Sequence, residues 1–340
     1  MIKRGLLSKD LNLILEKSEA ELMRLSGAHI LITGSSGFMG FWFAAALLEA
    51  NSKMNLNIQV TITARDYQSV KDFQFYNLGD PLRILNGDLF TADKLFLKKM
   101  GSFDLVFHSA ISNNINSNNS DLSRDLLFLE KFLKCAELKG SKFLFPSSGA
   151  IYGEQPTNLD RIPENLENES LLGPRTKYGN FKAKSEELIR MANITNGIVG
   201  ITPRFFTLFG PRLPLDRQFA IGNFINMAKR GERILVNGNR ESKRSYLYIA
   251  DAMYWLLKAS HLNPSAILHF GSNEIINIEE LALLISNKFG SNLNPSIAPG
   301  EIPISNYVPQ NAQTRKILNA VGGISFNQGL ERWNEWLDLV

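Results

Sequence analysis

Thr176-Lys-Tyr178-Gly-Asn-Phe-Lys182-Ala-Lys-Ser-Glu186 places a tyrosine four residues ahead of a lysine in a stretch without proline. The stretch predicts a helix, and on a helix positions i and i+4 share a face, so the Lys182 ammonium can stand beside the Tyr178 phenol. A neighbouring positive charge favours phenolate and lowers a pKa that is otherwise about 10. Such a phenol can exchange a proton with a hydroxyl group near neutral pH. About thirty residues earlier, Lys142-Phe-Leu-Phe-Pro-Ser147-Ser148-Gly-Ala-Ile-Tyr152-Gly153 reads as a strand running into a serine-rich turn that offers further hydroxyls.

A second stretch is suited to holding an anion. His29-Ile-Leu-Ile-Thr-Gly34-Ser-Ser36-Gly37-Phe38-Met39-Gly40 takes an aliphatic strand into three glycines spaced three apart, and Phe41 onward reads as a helix. A pyrophosphate approaching the first turn of a helix meets unpaired N–H groups and the positive end of the helix dipole, and a Cβ there would be in the way. Gly34 takes the unusual dihedrals of the turn, Gly37 lets backbone and phosphate come close, and Gly40 lets helix and strand pack.

Gly-x-x-Gly-x-x-Gly, Ser-Ser-x-x-x-Tyr-Gly and Tyr-x-x-x-Lys, in that order, resemble the extended short-chain dehydrogenase/reductase superfamily, the nucleotide-sugar epimerase/dehydratase family. The resemblance runs over roughly residues 28 to 340. It implies an α/β fold, a doubly wound parallel (Rossmann) sheet with a smaller α/β substrate-binding lobe. It divides the chain into a helical extension at 1–27, a dinucleotide domain carrying the catalytic residues at 28–204, and a nucleotide-sugar lobe at 205–340 from which a strand near 267–271 returns to the first sheet. The cofactor implied is NADP or NAD, the substrate a nucleotide-diphosphate sugar, and the assembly a homodimer.

The same resemblance assigns roles residue by residue. Tyr178 is the acid/base, Lys182 sits beside it and at the nicotinamide ribose, and Ser148 holds the sugar oxygen. Gly34, Ser36, Gly37, Phe38, Met39 and Gly40 line the dinucleotide. Gly87-Asp88-Leu89, at the end of the strand begun by Arg83, contacts the adenine, and Ser109 and Ala110 follow a fourth strand beside the dinucleotide. His108 ends that strand and reads as a packed residue, since nothing near it in sequence orients it for acid/base work. Ile58-Gln-Val-Thr-Ile-Thr-Ala64 reads as the second strand, whose end faces the adenosine ribose. With Ala64 where an acid would hold the 2′-hydroxyl and Arg65 next to it, the pattern tilts towards NADP; a register shifted by two places Asp66 there instead. In the second half, Thr207 stands where the family has Asn, Asn223 lies on the helix beside the nucleotide, and Arg244 clamps the diphosphate through bidentate bonding. Arg212 and Arg217 offer further guanidinium groups.

Hydride transfer at C4 of a nucleotide-linked hexose is the activity these assignments imply. Family dehydratases carry Asp-Glu after the catalytic hydroxyl residue, and Gly149-Ala150 stands here instead. That argues against a 4,6-dehydratase and leaves a 4-keto-sugar reductase, which Arg65 favours, or a 4-epimerase. A reading of another class, a non-catalytic dinucleotide-binding regulator, is opposed by the retention of Ser148, Tyr178 and Lys182.

Composition bounds the rest. The chain has 340 residues, 44% hydrophobic and 21% charged, ordinary values for a globular protein. Its 37 Lys and Arg outnumber 33 Asp and Glu but are scattered, which does not suggest a nucleic-acid partner. The single Cys135 cannot form an internal disulfide and fits a reducing cytoplasm. No Cys/His spacing suggests a metal site. Leu11, Ile14, Leu15, Leu22 and Leu25 fall near helical spacing among charged residues, so residues 1–27 predict an amphipathic helix packed on the outside of the first domain or on a neighbouring subunit, and neither a secretion signal nor a membrane span.

Overall fold

Aliphatic and β-branched runs bounded by turns are what a sheet buried on both faces requires. In the computed structural model, which describes residues 4–76, 82–111, 122–135, 138–164, 176–216, 219–262, 267–300 and 302–340, those runs form a six-stranded parallel sheet. Its strands are β1 (His29–Thr33), β2 (Gln59–Ala64), β3 (Leu82–Asn86), β4 (Leu105–His108), β5 (Lys142–Leu144) and, after the two-residue β6 (Ser147–Ser148), β7 (Val199–Ile201). The order is β3-β2-β1-β4-β5-β7. The chain moves outward in one direction from β1 to β3 and in the other from β4 to β7, so the switch point lies between β1 and β4. Open α/β sheets bind ligands outside the carboxyl ends of the strands at that point.

The chain divides into two compact units. The first is Met1–Ser148, Thr176–Arg204 and Ala250–Ile267; the second is Gly149–Arg175, Phe205–Ile249 and Leu268–Val340. The first holds the six-stranded sheet and the helices α1 (Ser8–Lys17), α2 (Glu19–Arg24), α3 (Phe38–Met54), α4 (Lys94–Lys99), α5 (Ser123–Cys135) and α6 (Lys177–Asn196). The strand expected near 267–271 is His269–Phe270, but it is not among the six strands of the first sheet. It is two residues long and already paired in the second unit, where the Phe270 carbonyl accepts from the Phe206 N–H at 3.0 Å.

Helix α3 explains the N-terminal extension. Every residue from Gly40 to Asn51 is buried, including Trp42, Phe43, Leu47 and Leu48. A helix apolar all round needs cover on more than its sheet-facing side. Helix α1 packs on α3 and buries Leu11, Ile14 and Leu15. The single helix expected for this region is two, because at Ser18 the backbone leaves the helical region (φ −129°) and the hydroxyl donates to the Ile14 carbonyl at 2.5 Å. Charged groups fasten this cover at its edge: Lys17 lies 5.3 Å from the Tyr254 ring centroid, and Lys258 pairs with Glu21 at 3.5 Å.

In the second unit, the strands Thr207–Phe209 and Tyr246–Tyr248 pair in parallel, and Phe209, Tyr246, Phe326 and Trp333 pack into an aromatic core. The helix α7 (Ala220–Lys229) lies against Ile278–Phe289. Among the described residues, no helix is long and apolar enough to cross a membrane.

The switch point itself is a close contact. Gly34 has φ +71°, and a Cβ on it would stand 2.6 Å from the Ala110 nitrogen and 2.7 Å from the Ser109 carbonyl carbon. Both obstacles are backbone, so neither can swing aside. Gly34→Ala therefore combines left-handed strain with a steric clash and should lower the unfolding free energy by at least about 2 kcal/mol. Urea denaturation measures this, and a midpoint equal to that of the unsubstituted protein contradicts the contact.

Candidate functional site

Helix α6 begins where Thr176 caps it, its Oγ1 accepting from the Gly179 N–H at 2.9 Å. Tyr178 thus sits in the first turn and Lys182 one turn on, as their spacing predicts. The segment leaving β5 passes beside them. Lys182 Nζ donates to the Pro146 carbonyl at 2.5 Å and lies 4.3 Å from the Phe145 ring centroid and 5.6 Å from that of Tyr178. The Ser148 hydroxyl hydrogen-bonds the Tyr178 phenol. The structure therefore brings Ser148, Tyr178 and Lys182 together, in one unit.

Their electrostatics correct one expectation. Lys182 is only 3% exposed, and burial pulls its pKa down to about 7 against the opposing pull of Glu186 and Asp125. Tyr178 is pushed up to about 12 by burial, with the Ser148 hydrogen bond acting the other way. The ammonium does not lower the phenol in the protein alone. The physical reason is that desolvating the phenolate outweighs the help it receives here.

His108 is a packed residue, as read from sequence. Its Nδ1 is 2.7 Å from Thr33 Oγ1, and it lies among the rings of Phe128, Phe132, Phe143 and Phe145. Burial drives its pKa to about 3, with the nearby Lys182 charge acting the same way.

The glycine turn fits a pyrophosphate. Gly37 is the N-cap of the 17-residue α3, with no side chain to accept from the first-turn N–H groups and no acidic residue in that turn. Ser36 and Gly37 are exposed, Phe38 and Met39 half-buried. A Cβ on Gly40 would lie 2.3 Å from the Gly34 carbonyl oxygen, so only glycine lets α3 start this close to β1. Two residues that the sequence reading passed over hold the cradle in place: Ser35 donates to the Thr63 carbonyl at 3.0 Å, and the Thr33 carbonyl accepts from Ser109 Oγ at 2.7 Å. Polar residues at the end of an aliphatic strand were the available signal.

At the end of β2, Ala64 is the last strand residue and pairs with Asn86, leaving Arg65 exposed. Asp66 Oδ1 accepts from the Ser69 N–H at 2.8 Å, so its carboxylate already caps the next turn. Asp88 caps its own turn through the Phe90 N–H and pairs with Arg124 at 3.2 Å, while Leu89 is buried in the core. Ala110 lies against Gly34 at the switch point. Residues 112–121 and Arg217 lie outside the described residues.

The second unit holds a cavity of about 480 Å³, and Asn223 and Arg244 both line it with Asn226, Arg230, Asn237 and Ser305. Thr207 is not among its lining residues. Arg244 is anchored by bonds from Nη1 to the Ser305 and Lys243 carbonyls, and its pKa is lowered by burial. Carboxamides, two guanidinium groups and the Glu232 carboxylate around one cavity suit a polar ligand.

Comparison with known proteins follows the same lines. The NAD dependent epimerase/dehydratase family matches residues 30–278. UDP-glucuronic acid decarboxylase 1 of Xenopus tropicalis is 24% identical over 288 residues, 84% of this chain and 65% of that protein. The chain spans just under two thirds of the length of the vertebrate decarboxylases it matches. The uncharacterized UDP-glucose epimerase YtcB of Bacillus subtilis is 27% identical over 232 residues, 66% of this chain and 70% of that protein. Among solved structures, UDP-glucuronic acid 4-epimerase from Bacillus cereus in complex with UDP-glucuronic acid and NAD has a TM-score of 0.75 at 19% identity, covering 92% of this chain and 99% of that one. The epimerase Mth375 from Methanothermobacter thermautotrophicus has a TM-score of 0.78 at 22% identity, covering 96% of each. At these identities the structural likeness is one of fold.

The buried imidazole has a consequence for acid stability. Its folded pKa is depressed from 6.5 to about 3, so between those values the unfolded chain binds the extra proton. The part of stability tied to His108 is complete above about pH 6.5 and is lost as the pH falls towards 3. Nitrogen NMR of the folded protein should show the His108 ring neutral down to at least pH 4.5, and a titration midpoint near 6.5 contradicts this environment.

Proposed function

This chain belongs to the NAD-dependent epimerase/dehydratase family, and from that premise we propose that it inverts C4 of a nucleoside-diphosphate hexose by oxidation and re-reduction. The observation that carries the reading is the phenol of Tyr178, bonded to the Ser148 hydroxyl and set one helical turn from a buried lysine. A dinucleotide with its pyrophosphate at the glycine turn around Gly37 would supply a hydride acceptor and a positive charge that favours phenolate. Tyr178 then takes the proton from the C4 hydroxyl and gives it back when the alcohol reforms. Ser148 holds the C4 oxygen through its hydroxyl, and the Lys182 ammonium adds positive charge beside the phenol.

Loss of water across C5 and C6 would need an acid and a base next to this group. Gly149 and Ala150 provide neither. A Cβ at position 149 would stand 2.7 Å from Cε1 and Cζ of the buried Phe206, so a longer residue there would have to displace that ring. The cavity lined by Asn223 and Arg244 supports a nucleoside diphosphate as the handle: the guanidinium suits the diphosphate, and the carboxamides suit a base or sugar. The match to a UDP-glucose epimerase supports C4 inversion. Exposed Leu127 on α5 and Met191 and Ile194 on α6 support extending the reading to a homodimer.

One observation favours a second reading, net reduction of a 4-keto sugar with NADPH. Arg65 is exposed directly after β2, and the nearby carboxylate of Asp66 is engaged with Ser69, so a 2′-phosphate would meet a guanidinium there. Mass spectrometry of the nucleotide released from the purified protein separates the two, together with UDP-glucose incubated without added cofactor. Retained NAD and formation of the C4 epimer support inversion; release of NADP and no epimer support reduction. Arg65→Asp should move the NADP-to-NAD affinity ratio towards NAD by tenfold or so if Arg65 meets a 2′-phosphate, and an unchanged ratio removes the reductase reading.

Tyr178→Phe keeps the packing and removes the proton carrier. Its kcat should fall by about 10² to 10⁴ with cofactor and sugar-nucleotide affinities retained, because general acid–base help develops mainly in the transition state. Single-turnover hydride transfer measures the loss, and a rate within a few-fold of the unsubstituted protein rules out Tyr178 as the acid/base.

A further inference from the structure

Tyr178, Lys182 and Glu186 follow one another along α6 at intervals of four, and each bonds to one residue of the segment Pro146–Ser148. Ser148 meets Tyr178, the Pro146 carbonyl meets Lys182, and the Ser147 hydroxyl donates to Glu186 Oε1 at 2.5 Å. The first two contacts belong to the site described above. The third does not touch the reacting groups.

Glu186 is held from a second direction. Arg204 donates to its carboxylate from Nε at 3.1 Å and from Nη2 at 2.8 Å, a two-pronged grip between side chains that are 6% and 13% exposed. Ser147 is likewise pinned twice, because its own N–H donates to the Pro203 carbonyl at 2.8 Å. The network therefore ties α6, the segment carrying Ser148 and the segment carrying Arg204 into one frame. Buried ion pairs contribute little net stability, since desolvation offsets most of the attraction, and well-packed apolar residues would serve cohesion as well. What apolar residues would lack is a directed bond to Ser147 and a negative charge one turn from Lys182.

We propose that Glu186, gripped by Arg204 and bridged to Ser147, is a positioning residue of the reaction: it fixes where Ser148 stands along α6 and keeps Lys182 an ammonium in its buried site. This rests on the functional reading of Ser148, Tyr178 and Lys182 given above. The charges facing Lys182 agree with it. Glu186 is the largest influence opposing the desolvation of Lys182, and Asp125 from α5 is the next. On the β4 side His108 is held neutral by burial, on α6 Tyr178 is neutral, and the charge of Arg204 is paired with Glu186. Removing the Glu186 carboxylate leaves Asp125 as the remaining named anion near the ammonium.

Two substitutions in the full-length holoprotein separate the two parts. Ser147→Ala removes only the bridge and leaves the ion pair, so its outcome does not depend on how Arg204 tolerates a neutral partner. Glu186→Gln removes the charge and keeps the shape. With UDP-glucose as the probe, Ser147→Ala should lower kcat for hydride transfer about tenfold at unchanged KM, the effect of one misplaced hydrogen bond to a charged group. Glu186→Gln should move the alkaline limb of the kcat profile to lower pH. It should also move the Lys182 titration midpoint to lower pH, read by carbon NMR of 13Cε-labelled lysine and assigned from the resonance missing in Lys182→Met. Loss of packing alone would not move that midpoint. An unmoved midpoint in Glu186→Gln overturns the charge role, and Ser147→Ala within about twofold of the unsubstituted kcat overturns the positioning role. If Tyr178→Phe keeps full hydride transfer, the functional reading fails instead, and the lysine titration still judges the charge role.

Discussion

An ammonium taken out of water is the constraint around which the first unit's site is arranged. Lys182 is almost wholly buried, and an isolated charge in such a place would shed its proton. The surroundings answer this in four ways: a carbonyl from Pro146, the face of the Phe145 ring, and the carboxylates of Glu186 and Asp125. The imidazole of His108 stays neutral nearby, which avoids a second positive charge. With the lysine poised near pH 7 and the phenol held near 12, the pair in the protein alone is an uncharged acid beside a weakened cation. Such a site responds strongly to any further charge brought to it, because little water is present to screen the interaction.

The glycine turn rests on a different constraint, contact between backbones. Gly34 can lie against Ser109 and Ala110, and Gly40 against Gly34, only because neither carries a Cβ. The close approach lets α3 start next to the end of β1, and Gly37, as its N-cap, has no side chain to accept from the first turn. The apolar character of α3 then creates a need elsewhere in the chain. A helix buried from Gly40 to Asn51 would expose hydrophobic surface if the sheet were its only neighbour, and helix α1 at the N-terminus packs against it. The extension is part of the first unit's core.

In the second unit one backbone position is set by space. Phe206, packed on Tyr307 and His269, occupies the volume into which a side chain at 149 would project. The glycine after Ser148 and the bulky ring are thus two halves of one steric arrangement. A side chain longer than glycine at 149 would have to displace that ring.

The parallel sheet followed from the family resemblance that the motifs carry, while local pattern by itself determined the glycine turn, the serine-rich turn and the face shared by Tyr178 and Lys182. Each depends on a short-range rule: two-residue or four-residue spacing, a glycine where dihedrals demand one, or a cap before a helix. Those same rules identified His108 as a packed residue. Only the tertiary structure decided quantities that depend on neighbours distant in sequence. Burial raised the Tyr178 pKa where an adjacent lysine had suggested the opposite, because the desolvation of a group is invisible in its local spacing. Ser18 split the N-terminal helix through a bond to its own backbone, and the short strand His269–Phe270 paired outside the first sheet. The bridge from Ser147 through Glu186 to Arg204 joins residues 39 and 18 positions apart. No periodicity in the sequence marks it, since it exists only where three segments of the fold converge.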